Sequence, residues 1–150
     1  MNILFLGTTG IYHTLIAAHL YLGKSTSVDY RNLKFWGDRS QEALGYPLFL
    51  DQDEQSNRVY SLGVGPDVRM ANKSIEQLIR ILNCTERDLV VKPVFIKRER
   101  LLWFLHRMGN FKIVNHLLLA IIGYLLKKEF AAINQQVKEF RNQVKFAKER

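Results

Sequence analysis

The stretch Gly7-Thr8-Thr9-Gly10-Ile11-Tyr12-His13-Thr14 places two glycines, three threonine hydroxyls, a tyrosine and an imidazole between a short apolar run and an apolar helical stretch. A strand that feeds a helix through such a turn aims free backbone N–H groups at one spot, and the helix dipole adds partial positive charge there. Phosphate, sulfate or a carboxylate binds such a spot with little side-chain help. Gly7 and Gly10 permit close approach, and Thr8, Thr9 and Thr14 add hydroxyl donors. The competing reading is a structural turn in which His13 merely stands near a helix start. The Walker pattern G-x-x-x-x-G-K-[ST] is met at Gly7 and Thr14, but Tyr12 and His13 replace its second glycine and its lysine. His13 carries no permanent charge at neutral pH. An active P-loop NTPase is therefore disfavoured, and an anion or phosphoester pocket of another kind is preferred.

Three further residues could serve that turn. Asp38 follows Phe35-Trp36-Gly37 at the expected end of a strand. In open α/β sheets ligands sit beyond the carboxyl ends of the strands, so Asp38 could face the turn as a base or through a metal-bound water. A turn aspartate capping local backbone is the favoured alternative. Gly63 and Gly65 follow another strand-like run and either complete the pocket wall or terminate a hairpin.

The remaining chemistry-bearing residues read as structural. His19 sits in an apolar helix, off the face of His13. His106 and His116 lie on separate helical segments with no acidic or cysteine partner nearby in sequence, so no metal site is expected. Cys84, the single cysteine, reads as a small buried residue and excludes an internal disulfide. Nothing in the sequence names a cofactor.

The elements that must position the turn follow from patterning. Asn2–Leu6 reads as a buried strand, 13–22 as a helix covered on nearly all sides, and Gly23 as its C-terminal cap. Residues 24–32 read as a polar loop and Leu33–Trp36 as a second short strand. Runs 47–51 and 58–62 flank a polar segment, which is a hairpin signature. Residues 74–83 have helical spacing, with Ser74 and Gln77 as a capping box. Asp88–Val94 is a strand whose Pro93 marks an end or an edge. Arg98–Met108 is an amphipathic helix in which Leu101, Leu102, Trp103 and Leu105 face a core, and Gly109–Asn110 stops it.

From 113 to 149 no proline interrupts the chain, and Phe130, Ile133, Val137, Phe140 and Val144 recur at alternating spacings of three and four. That is a coiled-coil-like seam. As one helix the segment would run roughly 55 Å, so it must bend, break near Gly123 or find a partner.

Together these elements define an α/β protein: a small mixed sheet flanked by helices over 1–112, with a C-terminal helical extension over 113–150. The length suits one domain with a real core. The net charge of +8 is uneven: residues 101–150 hold 9 Lys/Arg against 3 Asp/Glu, and residues 1–100 hold 13 against 11. The basic third can attract nucleic acid or acidic surfaces, or only solvate a helix. The N-terminus lacks the features of a signal peptide. Val114–Leu126 falls short of the roughly 20 apolar residues that span a bilayer. A cytoplasmic home is the simplest expectation.

The strand followed by Gly-x-x-Gly-x-x-His-Thr, the pair Ala17–Ala18, Leu22–Gly23 and the later run Asn57-Arg58-Val59-Tyr60-Ser61-Leu62-Gly63 resemble a small uncharacterised bacterial family. It is domain of unknown function 3189, found chiefly in spore-forming Gram-positive bacteria. The resemblance covers roughly residues 1 to 110. It implies that His13 and Thr14 matter without naming a reaction. Ile11 and Tyr12 depart from the family's glycine-rich turn.

Two functions are therefore expected to compete. In the first, the Gly7–Thr14 turn binds a small anionic or phosphorylated ligand. His13 then acts as acid/base or phosphate contact, Thr14 and backbone N–H groups orient the anion, and Asp38 assists in a phosphoester hydrolase or transferase. In the second, the protein is a non-catalytic regulator or scaffold that self-associates or binds a partner through residues 113–150. Nucleic acid ranks below both. A basic amphipathic helix is also compatible with a membrane surface, but the seam favours a helix partner.

Overall fold

The computed structural model describes residues 1–24, 30–85, 87–109 and 115–148. Most of the expected loop 24–32, the helix stop at Asn110 and the start of the C-terminal segment at 113 lie outside them.

The chain forms a single α/β domain around a four-stranded mixed sheet of order β2-β3-β1-β4. The strands are β1 (Asn2–Gly7), β2 (Leu48–Gln52), β3 (Arg58–Gly63) and β4 (Leu89–Pro93). β1 is central and lies parallel to both β3 and β4, while β2 runs antiparallel along the outer side of β3. From Ile3 to Gly7 every residue of β1 is buried, as a continuous apolar run in a parallel sheet requires. The β2–β3 hairpin is closed by Asp53, whose carboxylate accepts from the N–H groups of Gln55 and Asn57, both at 2.9 Å. Pro93, which cannot donate to a ladder, ends the edge strand β4.

One face of the sheet carries the main core. Helix α1 (His13–Tyr21) is buried along its whole length. It lies against the sheet on one side and α5 (Asn115–Lys148) on the other. Gly23 follows α1 in the left-handed region, with φ of 72°. The last carbonyls of α1 are covered by the Arg141 guanidinium, which donates to Leu20 (2.7 Å) and Tyr21 (2.5 Å). A cation at this helix end also complements the dipole.

α5 is one 34-residue helix, unbroken at Gly123. Its predicted seam is real, but this chain fills it. Ile133, Val137, Phe140 and Val144 are buried in the domain core, with Phe130 packed partly against it. The Phe140 ring sits 5.7 Å from those of both Phe5 and Tyr21.

The other face is covered mainly by α3 (Val68–Ile81); among the described residues its buried apolar cluster is Leu4, Leu6 and Val68.

Four local expectations are corrected. Leu101, expected to face a core with Leu102 and Leu105, is 44% exposed, because it lies one position round the helix Glu99–Met108 from the buried Leu102. Leu33–Trp36 is not a strand. It follows the 3-10 turn Tyr30–Asn32, and the hydrogen bonds Leu33 N to Tyr30 O and Trp36 N to Leu33 O coil the segment. Trp36 instead stacks on Tyr30 at 5.3 Å and meets Tyr12 edge-on at 5.4 Å. The helix expected from 74 begins at Val68, because the Asp67 carboxylate accepts from the Met70 N–H and caps it there. Ser74 is therefore an interior residue. Cys84 is exposed, because it follows the end of α3 rather than packing beneath it.

Candidate functional site

The parallel register brings three strand ends to one edge of the sheet. Gly7 pairs with Gly63, and Leu6 with Pro93. The ladder continues into the loops, with hydrogen bonds from Val64 N to Gly7 O (2.9 Å), Gly65 N to Thr8 O (3.2 Å) and Val94 N to Leu6 O (2.8 Å). Gly63 and Gly65 thus meet the first turn through their backbones. The two loops approach so closely that a Cβ on Gly10 would lie 2.8 Å from the Gly63 N, and one on Gly63 2.5 Å from the Gly10 N. A Cβ on Gly7 would collide with the His13 ring, which folds back over the strand end. These three glycines serve close packing of chain on chain.

Within the turn the polar groups fall into two sets. The first is internally braced. Thr14 Oγ1 donates to the Thr9 carbonyl at 2.6 Å. Ser61 Oγ lies 2.6 Å from the Gly10 carbonyl and 2.8 Å from Thr14 Oγ1. The second set is buried and unsatisfied. The Thr8 and Thr9 hydroxyls and both His13 ring nitrogens make no hydrogen bond of good geometry, although Thr9 and His13 are 0% exposed. Burial lowers the His13 pKa to about 4, opposed slightly by the nearby Val94 backbone. His13 is therefore a neutral imidazole at physiological pH.

Two glutamates that sequence reasoning missed complete the site. Short helix α2 (Arg39–Ala43) brings in Glu42, whose Oε1 accepts from the Gly10 N–H at 2.5 Å. Helix α4 (Glu99–Met108) begins at this edge. Its Glu99 carboxylate receives the Thr8 backbone N–H, and Oε1 lies 4.0 Å from His13 Nε2. Burial raises the pKa of both carboxyls. His106 Nε2 lies 3.2 Å from Glu42 Oε2. Its pKa falls to about 4, through burial and then the Arg39 charge. The acidic partner missing from the sequence around His106 thus comes from 64 positions earlier, by the difference of these two residue numbers. No local pattern could have found it.

Asp38 is not drawn into this group. Its carboxylate accepts from Ser40 Oγ and from the Gln41 N–H as the N-cap of α2, and these bonds lower its pKa. The strand expected to deliver Asp38 is absent; Asp38 caps α2, and α2 delivers Glu42. His19 is buried as expected, but its ring nitrogens have no hydrogen-bond partner. Among the described residues, no group of three or more His, Cys, Asp or Glu could hold a metal ion, and no helix is long and apolar enough to cross a membrane.

The fold and this edge define a class: a small α/β domain with a glycine-rich strand-to-helix turn contacted by two partly buried glutamates. The chain belongs to the family described as protein of unknown function, DUF3189, whose model matches residues 2–142. The match runs deep into α5, beyond the 110 residues that the N-terminal motifs cover. That agrees with α5 being part of the core. No curated protein and no solved structure is significantly similar to the chain.

Proposed function

We propose that this protein binds a small anionic or phosphorylated molecule at the Gly7–Thr14 turn. The observation that carries the reading is the behaviour of Gly10: its N–H already donates to an acidic group, the Glu42 carboxyl, at 2.5 Å. Around it the Thr8 and Thr9 hydroxyls and the His13 ring are buried without partners, at a cost of about 1–3 kcal/mol for each such group. An incoming anion that displaces Glu42 would satisfy several of them together. Thr8, Thr9 and His13 are the contacts in this reading, and Thr14 and Ser61 hold the loop. In a phosphoester hydrolase or transferase, His13 would be the acid/base group, entering the reaction as the neutral imidazole.

Thermal unfolding with phosphate, sulfate, nucleotides and sugar phosphates tests the reading, since a ligand of the folded state raises the melting temperature. A rise in wild type that is lost in His13→Asn and enlarged in Glu42→Gln supports it. No rise with any of these anions overturns it.

The alternative is a non-catalytic scaffold that self-associates or binds a partner through its C-terminal helix. It must use the outward face of α5, where Leu117, Ile121 and Tyr124 are exposed, because the seam is internal. Sedimentation across a concentration range reads this directly.

A further inference from the structure

α4 and α5 run antiparallel. The N–H of Lys97, just before α4, donates to Glu129 Oε2 at 3.3 Å, and the Arg98 charge acts on Tyr124. The end of α4 at Met108 leads into α5 at Asn115. Leu102 and Leu105 of α4 and Leu118, Ile122 and Leu125 of α5 face the core. That leaves a second stripe on each helix. Leu101, Phe104 and Met108 recur at i, i+3 and i+7, and Leu117, Ile121 and Tyr124 at i, i+4 and i+7. All six are between 38 and 63% exposed. Seen from one end, antiparallel helices have opposite rotational sense. Each stripe falls on the same rotational side of its own core face, so the two stripes lie either both towards or both away from the groove between the helices; Arg98 beside Tyr124 sets α4 on the stripe side of α5, and the stripes adjoin.

The rim of this surface carries one sign of charge. Arg98, Arg100, Arg107, Lys127 and Lys128 are exposed. The nearest acids turn inward: Glu99 towards Thr8 and His13, and Glu129, only 7% exposed, to the Lys97 N–H. Aromatic rings stand beside the cations. Lys128 Nζ lies 4.6 Å from the Tyr124 ring centre, and the Arg107 guanidinium 5.5 Å from that of Trp103.

We propose that this face docks on an anionic lipid surface, with the six apolar side chains at the headgroup boundary and the cations meeting lipid phosphates. An apolar stripe edged by Tyr, Trp and Lys/Arg is the composition that partitions into a bilayer interface. A second copy would bring cations against cations. Nucleic acid would leave most of the apolar stripe without a counterpart.

The test is co-sedimentation of the full chain with mixed phosphatidylcholine–phosphatidylglycerol vesicles, with pure phosphatidylcholine vesicles as control. The expected result is binding to the mixed vesicles only. Lys127→Gln combined with Lys128→Gln should weaken it roughly 25-fold, at about fivefold per cation. Phe104→Ser with Ile121→Ser should also weaken it, with circular dichroism unchanged. Failure to bind mixed vesicles, or binding indifferent to both double variants, overturns the proposal. Capture of a polyglutamate peptide with no vesicle binding would assign the face to an acidic protein and equally overturns it.

Discussion

The opening turn and the C-terminal seam are both buried, and they are buried in opposite ways. The seam of α5 is apolar and fully matched: Ile133, Val137 and Phe140 pack into the main core with α1 and Phe5. The turn is polar and incompletely matched: Thr8, Thr9 and His13 lie inside with hydrogen-bonding capacity unused. A matched apolar surface has done its work once the chain is folded. An unmatched polar one lowers stability and gives a ligand something to satisfy. The difference separates what folds this protein from what a ligand would use.

The strongest way to break that comparison is to put a charge into the seam. Val137→Asp should abolish the folded state, because an unpaired carboxylate in this core costs roughly 4 kcal/mol or more. Loss of the cooperative unfolding transition, followed by circular dichroism, is the expected result. A variant that stays folded would return the seam to the role of a partner surface.

Next in size are the glycines. Gly63→Ala should destabilise by roughly 2–4 kcal/mol, since its Cβ meets the Gly10 backbone and the Glu42 carboxylate. Denaturant midpoints check this. Gly45, where a Cβ has open space within 4 Å but φ is 70°, should cost less.

Acid sharpens the contrast further. His13 falls from 6.5 to about 4 on folding, so the folded state binds fewer protons than the unfolded. Its stabilising contribution is present above pH 6.5 and is lost as the pH falls towards 4. The loss is on the order of 3 kcal/mol for this fully buried group. His106, also lowered to about 4, acts in the same direction. Glu42 and Glu99 have raised pKa values and act with the opposite sign: their contribution is fully present below pH 4.5 and declines as the pH rises above it. Denaturation midpoints between these limits should therefore fall on acidification, and less steeply in His13→Gln than in wild type.

The smallest effect separates the two acids of α2. Asp38→Ala removes a helix cap and should cost about 1 kcal/mol, with the anion-induced rise in melting temperature unchanged. Glu42→Gln should alter that rise. If Asp38→Ala abolishes it and Glu42→Gln does not, the assignment of acids to the turn is reversed.

The sequence alone determined what local physics controls. Periodicity and glycine punctuation located β1, α1, the hairpin, β4, α4 and α5, because a strand's period of two and a helix's of 3.6 are written in neighbouring residues. Glycine spacing and the buried strand before it marked the turn at residues 7 to 14. The tertiary structure decided everything that depends on distance between segments. The seam was legible as apolar spacing, but its partner was not, since α1 and a coiled-coil neighbour satisfy the same pattern. The end of Leu33–Trp36 as a strand and the choice of Glu42 over Asp38 arose from contacts across the fold. The four residues that meet at the turn, Gly10, His13, Glu42 and Glu99, come from three separate stretches of chain. They meet only because parallel β1, β3 and β4 end together. Their register is set by the whole sheet rather than by any one of its strands.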